Sequence, residues 1–228
     1  MDLALRTEGI DAMKGITQRV LVLSAAAATA VAVSVVPAPL AQARSELFIP
    51  PQIGIQFNPD GDPGQCGGRT GEQWKFPGDP TEAIRFDTDS RPGGCRLAFG
   101  IYDPGNVMTG VSATYTFKVT PGGDPGQCGN QGTHKLPITT TSPTFGDAIR
   151  IDTDNRQGGC DLTFALTSPT STSLNINYAS DGDRAQCGNA LPLPGGFSPV
   201  DNDREITLRI DTDDRPGGCQ LQLRLNTF

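Results

Sequence analysis

The chain has 228 residues, with 25 acidic and 18 basic side chains and a formal net charge of −7 at pH 7. This acidic balance argues against a nucleic-acid partner and against binding to an anionic membrane surface, because both require a basic face. The sequence holds six cysteines and one histidine, which favours disulfides over a zinc site. We therefore expect a soluble extracellular protein without a resident metal or cofactor.

The N-terminus has the three parts of a secretory signal: a short basic region, an apolar stretch at 20–36, and small residues before a cleavage point. We predict that residues 1–43 are a signal peptide cut after Ala43, with Met13 as an alternative start codon. A transmembrane anchor is the other interpretation, but the apolar stretch is shorter than the roughly 20 residues that span a bilayer. The mature region, 44–228, is then expected to be secreted, with no membrane insertion after cleavage.

One pattern occurs three times in the mature region: Gly-Asp-x-x-Gln-Cys-Gly, a variable stretch, then Arg-x-Asp-Thr-Asp-x-Arg-x-Gly-Gly-Cys-x-Leu. So many coincidences at one period indicate an internal repeat. We call the copies the first, second and third segments; they cover approximately residues 52–110, 111–171 and 172–228. Each segment contains two cysteines, which are Cys66 and Cys95, Cys128 and Cys160, and Cys187 and Cys219.

Alternating apolar residues predict four short strands in each segment, or about twelve in all. The second cysteine of each segment has the same strand parity as the apolar residues that follow it, so Cys95 and its counterparts should point into the core. Arg85, Asp87 and Asp89 have the opposite parity to Ile84 and should share the outer face. The same outward orientation is expected for the corresponding residues of the other two segments.

The third and fourth predicted strands of each segment are separated by Asp-x-Arg-x-Gly-Gly. Because glycine adopts positive φ at little cost, we expect a hairpin turn there, with the third strand paired to the fourth. The simplest disulfide pairing lies within each segment: Cys66–Cys95, Cys128–Cys160 and Cys187–Cys219. A shifted set is the alternative: Cys95–Cys128, Cys160–Cys187 and Cys66–Cys219.

These elements predict an all-β fold of three disulfide-stapled repeats. A segment of this length could barely build a core of its own. We therefore favour a single pseudo-threefold domain of the β-trefoil or β-prism type. Three small β modules in tandem are the alternative, although the short links between segments do not resemble long flexible tethers.

The Arg-x-Asp-Thr-Asp-x-Arg motif is the obvious candidate for a binding site. Its aspartates and arginines could bind the hydroxyl groups of a glycan at three related positions and gain from multivalency. A structural role is the competing interpretation, because an Asp before a turn accepts backbone hydrogen bonds and the Arg can pair with it. The candidate ligand-binding residues are Asp87, Asp89, Arg91, Asp152, Asp154, Arg156, Asp211, Asp213 and Arg215.

Calcium is a further interpretation of the same motif, since Asp87 and Asp89 are spaced like the start of a calcium loop and Asp60 and Asp62 could approach them. Arginines beside these aspartates would neutralise them, however, and Gly122 replaces Asp60 in the second segment. We therefore expect no metal ligands, with calcium kept as an alternative.

Catalysis receives little support from the sequence. The only histidine, His134, has no counterpart in the other segments, and no spacing indicates a nucleophile triad. A carboxylate-based hydrolase remains an alternative because two suitably placed acids would suffice. The loops between the cysteines, 71–80, 132–145 and 191–200, differ between segments, and exposed loops on a rigid scaffold often determine specificity.

The sequence thus predicts a secreted, non-catalytic binding protein whose partner is an extracellular glycan or protein, such as a cell-surface component. Two alternatives stay open. One is a secreted inhibitor of a protease or other hydrolase, which would use one distinctive loop. The other is a structural protein of the cell envelope.

Overall fold

The computed structural model describes residues 48–87, 93–152, 158–167, 172–188, 196–200, 204–211 and 217–227. The predicted signal peptide and its alternative start lie outside this part of the chain. The described residues cluster in one compact unit. In these ranges no helix has the length and apolar character needed to cross a membrane.

The fold is all-β, as the sequence predicts, with fourteen strands in the described ranges where about twelve were expected. The first segment forms β1 (Gln52–Pro59), β2 (Gly71–Lys75), β3 (Ile84–Asp87) and β4 (Gly94–Tyr102). The second segment forms β5 (Ser112–Val119), β6 (Cys128–Gly129), β7 (Gly132–Lys135), β8 (Ile138–Thr139), β9 (Ile149–Asp152) and β10 (Gly159–Thr167). The third segment forms β11 (Thr172–Ser180), β12 (Ser198–Val200), β13 (Ile206–Asp211) and β14 (Gly218–Thr227).

The strands form three sheets, and each sheet combines strands from two segments. Sheet A has the order β2-β1-β4-β9-β6, with β8 also paired to β4; sheet B has the order β12-β11-β14-β3; sheet C has the order β13-β10-β5-β7. The third strand of each segment therefore leaves its own segment: β3 pairs with β14, β9 with β4, and β13 with β10. The first segment thus contributes to the sheet of the third, the second to that of the first, and the third to that of the second.

The expected hairpin between the third and fourth strands is therefore wrong. Strand β4 is flanked by β1 and β9 rather than by β3, so its neighbour comes from the second segment. The position of Gly94, the second glycine of the Gly-Gly pair, requires a residue without a side chain. A Cβ atom added there would lie 2.5 Å from the carbonyl oxygen of Ile151 on β9. The glycine thus permits close approach of a strand from another segment.

The first glycine of each pair has the positive φ that the sequence predicts: 101° at Gly93, 100° at Gly158 and 107° at Gly217. A Cβ atom at Gly93 would lie 2.7 Å from the Cα of Gly61, which precedes the first cysteine. The two glycines therefore allow the loops at the two ends of the disulfide to meet backbone to backbone.

A short 3₁₀ turn precedes or includes the first cysteine of each segment, at Pro63–Cys66, Pro125–Gln127 and Arg184–Cys187. Each turn is capped by an aspartate side chain; Asp62, for example, accepts a hydrogen bond from the Gly64 N–H over 2.7 Å. The shared Gly-Asp-x-x-Gln-Cys pattern is thus a capped turn that presents the cysteine to the core.

The disulfides join Cys66 to Cys95, Cys128 to Cys160, and Cys187 to Cys219. This pairing within segments confirms the simpler of the two predicted sets. Loops of this size contribute about 3–4 kcal/mol per disulfide in the chain-entropy model. All six sulfurs lie in the core, with residue exposures of 0 to 1 %.

Apolar side chains of all three segments meet in one continuous core. The predicted alternation is confirmed: Ile53, Ile55 and Phe57 on β1 are buried, while Gln56 between them is exposed. Phe99 on β4 makes edge-to-face contacts of 5.1 Å with rings of the second segment, Tyr115 and Phe164. Such aromatic pairs add about 0.5–1.5 kcal/mol each beyond their buried area, so the segments stabilise one another.

Candidate functional site

The first arginine of the repeated motif connects two segments. Arg150 on β9 donates from Nε to Asp60 Oδ2 over 2.6 Å, and from Nη1 to Asp152 Oδ2 over 2.5 Å. Asp60 belongs to the first segment, whereas Arg150 and Asp152 belong to the second. The hydrogen bond to Asp60 is the main cause that raises the pKa of the Arg150 guanidinium.

Asp60 is the centre of this junction. Its Oδ1 accepts the Gly94 N–H over 2.8 Å, and its Oδ2 also accepts from Arg96 Nε over 2.9 Å. Burial alone would raise the pKa of Asp60, but the hydrogen bonds from Arg150 and Arg96 hold that pKa below its usual value. The carboxylate therefore ties β4 to the incoming strand β9.

A matching junction joins the third segment to the first. Arg85 on β3 donates to both carboxylate oxygens of Asp181, over 2.6 Å and 3.3 Å. Asp181 also accepts the Gly218 N–H over 2.7 Å and Gln220 Nε2 over 3.1 Å. Burial would raise the pKa of Asp181, and the hydrogen bonds from Arg85 and Gln220 lower it below its usual value.

The junction between the second and third segments lacks this carboxylate. Arg209 Nη1 donates to the Thr120 hydroxyl over 2.8 Å, and Thr120 Oγ1 in turn donates to the Gly159 carbonyl over 2.7 Å. The backbone N–H of Thr120 also binds the Gly159 oxygen, as that of Asp60 binds the Gly94 oxygen. Thr120, rather than Gly122, is thus the structural equivalent of Asp60.

Two of the predicted site residues are buried instead of lying open on an outer face. Asp152 and Asp211 are only 4 % and 6 % exposed, and Asp211 pairs with Arg209 Nη2 over 3.5 Å. Asp87 is the last residue of β3 and pairs in register with Gly218; its side chain is outside the described part. The remaining six predicted residues also lie outside the described ranges: Asp89, Arg91, Asp154, Arg156, Asp213 and Arg215.

In the described half of the motif, Arg85, Arg150 and Arg209 therefore form hydrogen bonds that join one segment to another. Asp62, which the calcium interpretation would recruit beside Asp60, is engaged in capping the Gly64 N–H. Within the described ranges, no three His, Cys, Asp or Glu side chains come together as a metal-ion group.

A different feature stands out on the outer face of sheet A. A groove of about 410 Å³ runs over β1, β2 and β4. This volume lies at the small end of the ~300–1,000 Å³ typical of ligand pockets. The groove is lined by Gln56, Phe57, Asn58, Thr70, Gly71, Glu72, Arg96, Leu97, Ala98 and Ala148.

Small residues lie on the outer face of sheet A, where Ala98 lines the groove while Trp74 and Thr144 cover Gly54 and Gly100. Gln56 pairs in register with Ala98, and Gly54 pairs with Gly100. The equivalent pairs in sheet B are Asn177 with Gln222 and Asn175 with Arg224. The Asn177 amide donates to the Gln222 oxygen over 3.0 Å, and the guanidinium of Arg224 stacks over the Phe197 ring at 4.2 Å. Long side chains thus occupy in sheet B the positions where sheet A has the groove and the covering residues Trp74 and Thr144.

Aromatic rings cluster next to the groove on the same face of sheet A. Trp74 pairs in register with Gly54, and a Cβ atom at Gly54 would lie 2.5 Å from the indole ring. Phe145 of the second segment contacts Trp74 with ring centroids 4.8 Å apart, and Tyr102 meets it edge-on at 6.5 Å. Trp74, Tyr102 and Phe145 are each half-buried, so the cluster offers a partly exposed apolar wall.

No protein-family model, curated protein or solved structure matches this chain.

The second segment supplies the far wall through residues 140–148, which we call the wall loop. The Gly146 N–H donates to the Phe99 carbonyl over 2.9 Å, and Asn130 Nδ2 donates to the Ala148 carbonyl over 2.7 Å. Phe145 of this loop contacts Trp74 and Ala148 lines the groove, so the loop connects the aromatic cluster with the groove.

The sequence did not single out the groove residues. The loops it marked as variable, 71–80 and 132–145, do supply Glu72, Trp74 and Phe145. The available signal was a run of small residues at outward-facing strand positions, Gly54, Ala98 and Gly100, near the only tryptophan. These residues can be recognised as neighbours only when the pairing of β1 with β4 is known.

Proposed function

We propose that this protein is a secreted, non-catalytic glycan-binding protein and that the groove on sheet A is its binding site. The observation that carries this proposal is a groove with a polar lining beside a partly exposed aromatic cluster on the same face of sheet A. Sugars present both apolar ring faces and hydroxyl groups. A site for them therefore combines an aromatic contact with a few placed polar groups.

The polar lining suits hydroxyl groups. Gln56, Asn58 and Thr70 both donate and accept hydrogen bonds, Glu72 accepts, and Arg96 donates. Gln56, Asn58 and Arg96 are exposed, so their amide and guanidinium groups can reach a ligand. Glu72 and Arg96 bring opposite charges to the same groove, which favours a neutral glycan over a strongly anionic one.

A non-catalytic role is favoured by the carboxylates around the groove. Hydrolysis of a glycosidic bond normally uses two carboxyl groups about 5–10 Å apart. Among the described residues that line the groove, Glu72 is the one carboxylic acid. Binding without cleavage is the simpler use of such a lining.

Secretion is supported by the predicted signal and by three buried disulfides, which persist in oxidising compartments. We also infer that the three sheets surround a pseudo-threefold axis in the manner of a β-prism. The cyclic exchange of the third strands supports this arrangement. The proposed site nevertheless belongs to one sheet, unlike the threefold set of motif sites suggested by the sequence.

The test is an array of neutral and charged glycans probed with residues 44–228. Binding is then measured in solution by the fluorescence of Trp74, the single tryptophan of the chain. We expect Gln56→Ala and Glu72→Ala each to weaken binding about five- to tenfold, since each removes hydrogen bonds worth roughly 1–1.5 kcal/mol.

The matched control is Asn177→Ala, which changes the equivalent position of sheet B and should leave binding unaltered. Equal loss in this control, or binding abolished only by changes at Asp152 and Asp211 in a folded protein, would move the site from the groove to the repeated motif. Absence of any bound glycan would contradict the proposed function.

A further inference from the structure

His134, the single histidine of the chain, is buried beneath the wall loop. Its side chain is 6 % exposed and stacks on Tyr115 with ring centroids 5.2 Å apart. Its Nε2 lies 2.7 Å from the Asn130 carbonyl oxygen. Because a carbonyl only accepts hydrogen bonds, Nε2 must carry the proton in the neutral ring.

The other ring nitrogen is then left facing a negative charge. Nδ1 is buried without a hydrogen-bond partner, and Asp147 Oδ2 of the wall loop lies 3.6 Å away. In the neutral tautomer set by Asn130, the Nδ1 lone pair points toward a carboxylate. A proton added at Nδ1 would turn this unfavourable contact into a charged hydrogen bond.

The other groups around the imidazole do not compete for this role. Tyr115 on β5 donates its hydroxyl to the Asp147 carbonyl, and burial raises its pKa, so it stays neutral. Lys135, the next residue on β7, is exposed and lies on the opposite face of that strand. Asp147 is therefore the charged group that faces His134 from the wall loop.

We propose that His134 is a pH-responsive positioning residue: proton uptake at Nδ1 binds Asp147, tightens the wall loop on sheet A, and strengthens binding in the groove at mildly acidic pH. Phe145 and Ala148 flank Asp147 in the loop and contact the aromatic cluster and the groove. The loop movement stands independently, whereas its effect on ligand affinity rests on the proposed glycan-binding function.

The test needs no ligand, because Trp74 reports the position of Phe145. Acrylamide quenching of Trp74 fluorescence is measured from pH 8 to pH 5 in the full mature protein. We expect quenching to be lower at pH 5 than at pH 8, because the tightened wall loop holds Phe145 against the indole ring. The step should be lost in Asp147→Asn, a change at a side chain that is 77 % exposed and should not prevent folding.

His134→Gln should also lose the step, since Gln can still donate to the Asn130 carbonyl but does not titrate. An unchanged step in Asp147→Asn, or no step in the wild type, would overturn the proposal. For the oligosaccharide that binds best on the array, affinity should be about fivefold higher at pH 5 than at pH 8, the lower end of typical coupling. A quenching step without any bound glycan would reject the proposed function and leave the loop movement supported.

Discussion

Arg150 of the second segment donates a hydrogen bond of 2.6 Å to Asp60 of the first, across 90 positions of the chain. The same carboxylate accepts the Gly94 N–H, so one side chain ties together the start of β4 and the strand that pairs with it. Arg85 and Asp181 repeat this relationship between the first and third segments. The repeated arginine therefore lies on the strand that pairs with another segment, and its hydrogen bonds hold that strand in place.

Removing this carboxylate should destabilise the whole domain. We expect Asp60→Asn to lower the free energy of unfolding by about 1–3 kcal/mol, because partly buried donors lose a charged acceptor. Urea unfolding with the disulfides intact measures the change. Asp79→Asn, at an exposed position, is the control and should alter stability by less than about 0.5 kcal/mol.

A double-mutant cycle with Asp60→Asn and Arg150→Gln separates this contact from general effects of substitution. Coupling of at least about 0.5–1 kcal/mol is expected for residues in direct contact. Additive effects of the two changes would contradict the assigned fastening role.

The alternation of apolar residues was enough to predict the core and the inward orientation of the second cysteines, and the repetition favoured disulfides within each segment. It was not enough to predict which strands are neighbours. A period of two fixes the face on which Ile84 and Phe86 lie, but that face is equally buried against β4 or β14. The choice depends on the course of residues 76–83, where Thr81 exchanges hydrogen bonds with Leu223 on β14.

The groove could not be predicted for a related reason. Its lining includes Gln56 and Ala98, which become neighbours only through the pairing of β1 with β4. The motif, in contrast, was visible in the sequence, but the hydrogen bonds of Arg150 to Asp60 and Asp152 were not. The sequence pattern alone does not show which group forms an ion pair or hydrogen bond with each charged side chain.

Stability should depend on pH through Asp60 and Asp181, whose pKa values are lowered in the folded protein despite the opposing effect of burial. A carboxyl with a depressed folded pKa contributes stability above its unfolded value of about 3.9, and this contribution is lost as the pH falls through the folded pKa. We therefore expect the urea midpoint to fall steadily below about pH 4.

The variant carrying both Asp60→Asn and Asp181→Asn should start from a lower midpoint at pH 6 and lose less of it on acidification. Parallel curves for this variant and the wild type, measured from pH 6 to pH 2, would show that other carboxyl groups control acid unfolding.

The junction at Thr120 should be the one that is easiest to strengthen. Thr120→Asp places a carboxylate toward Arg209 and the Gly159 N–H, in the geometry of Asp60, and should raise stability by about 0.5–1 kcal/mol. Thr120→Val keeps the shape but removes the hydroxyl that binds Arg209 and Gly159, so it should destabilise. Thermal unfolding at pH 7 compares the two, and a stabilising Val with a destabilising Asp would contradict the assigned equivalence.

Close approach between segments makes Gly94 intolerant of any side chain. Its φ is not positive, so Ala at this position meets no backbone strain; its Cβ would instead lie 2.5 Å from the Ile151 carbonyl oxygen. Because neither backbone can yield without breaking the pairing of β4 with β9, Gly94→Ala should lower the free energy of unfolding by about 3 kcal/mol.

Gly110→Ala is the matched control. Its φ is +79°, but no atom lies within 4 Å of the added Cβ, so we expect the free energy of unfolding to fall by only about 1 kcal/mol. Denaturant unfolding of both variants decides between steric contact and conformational strain, and a smaller loss at Gly94 than at Gly110 would mean that the exchanged strand is not packed as closely as described.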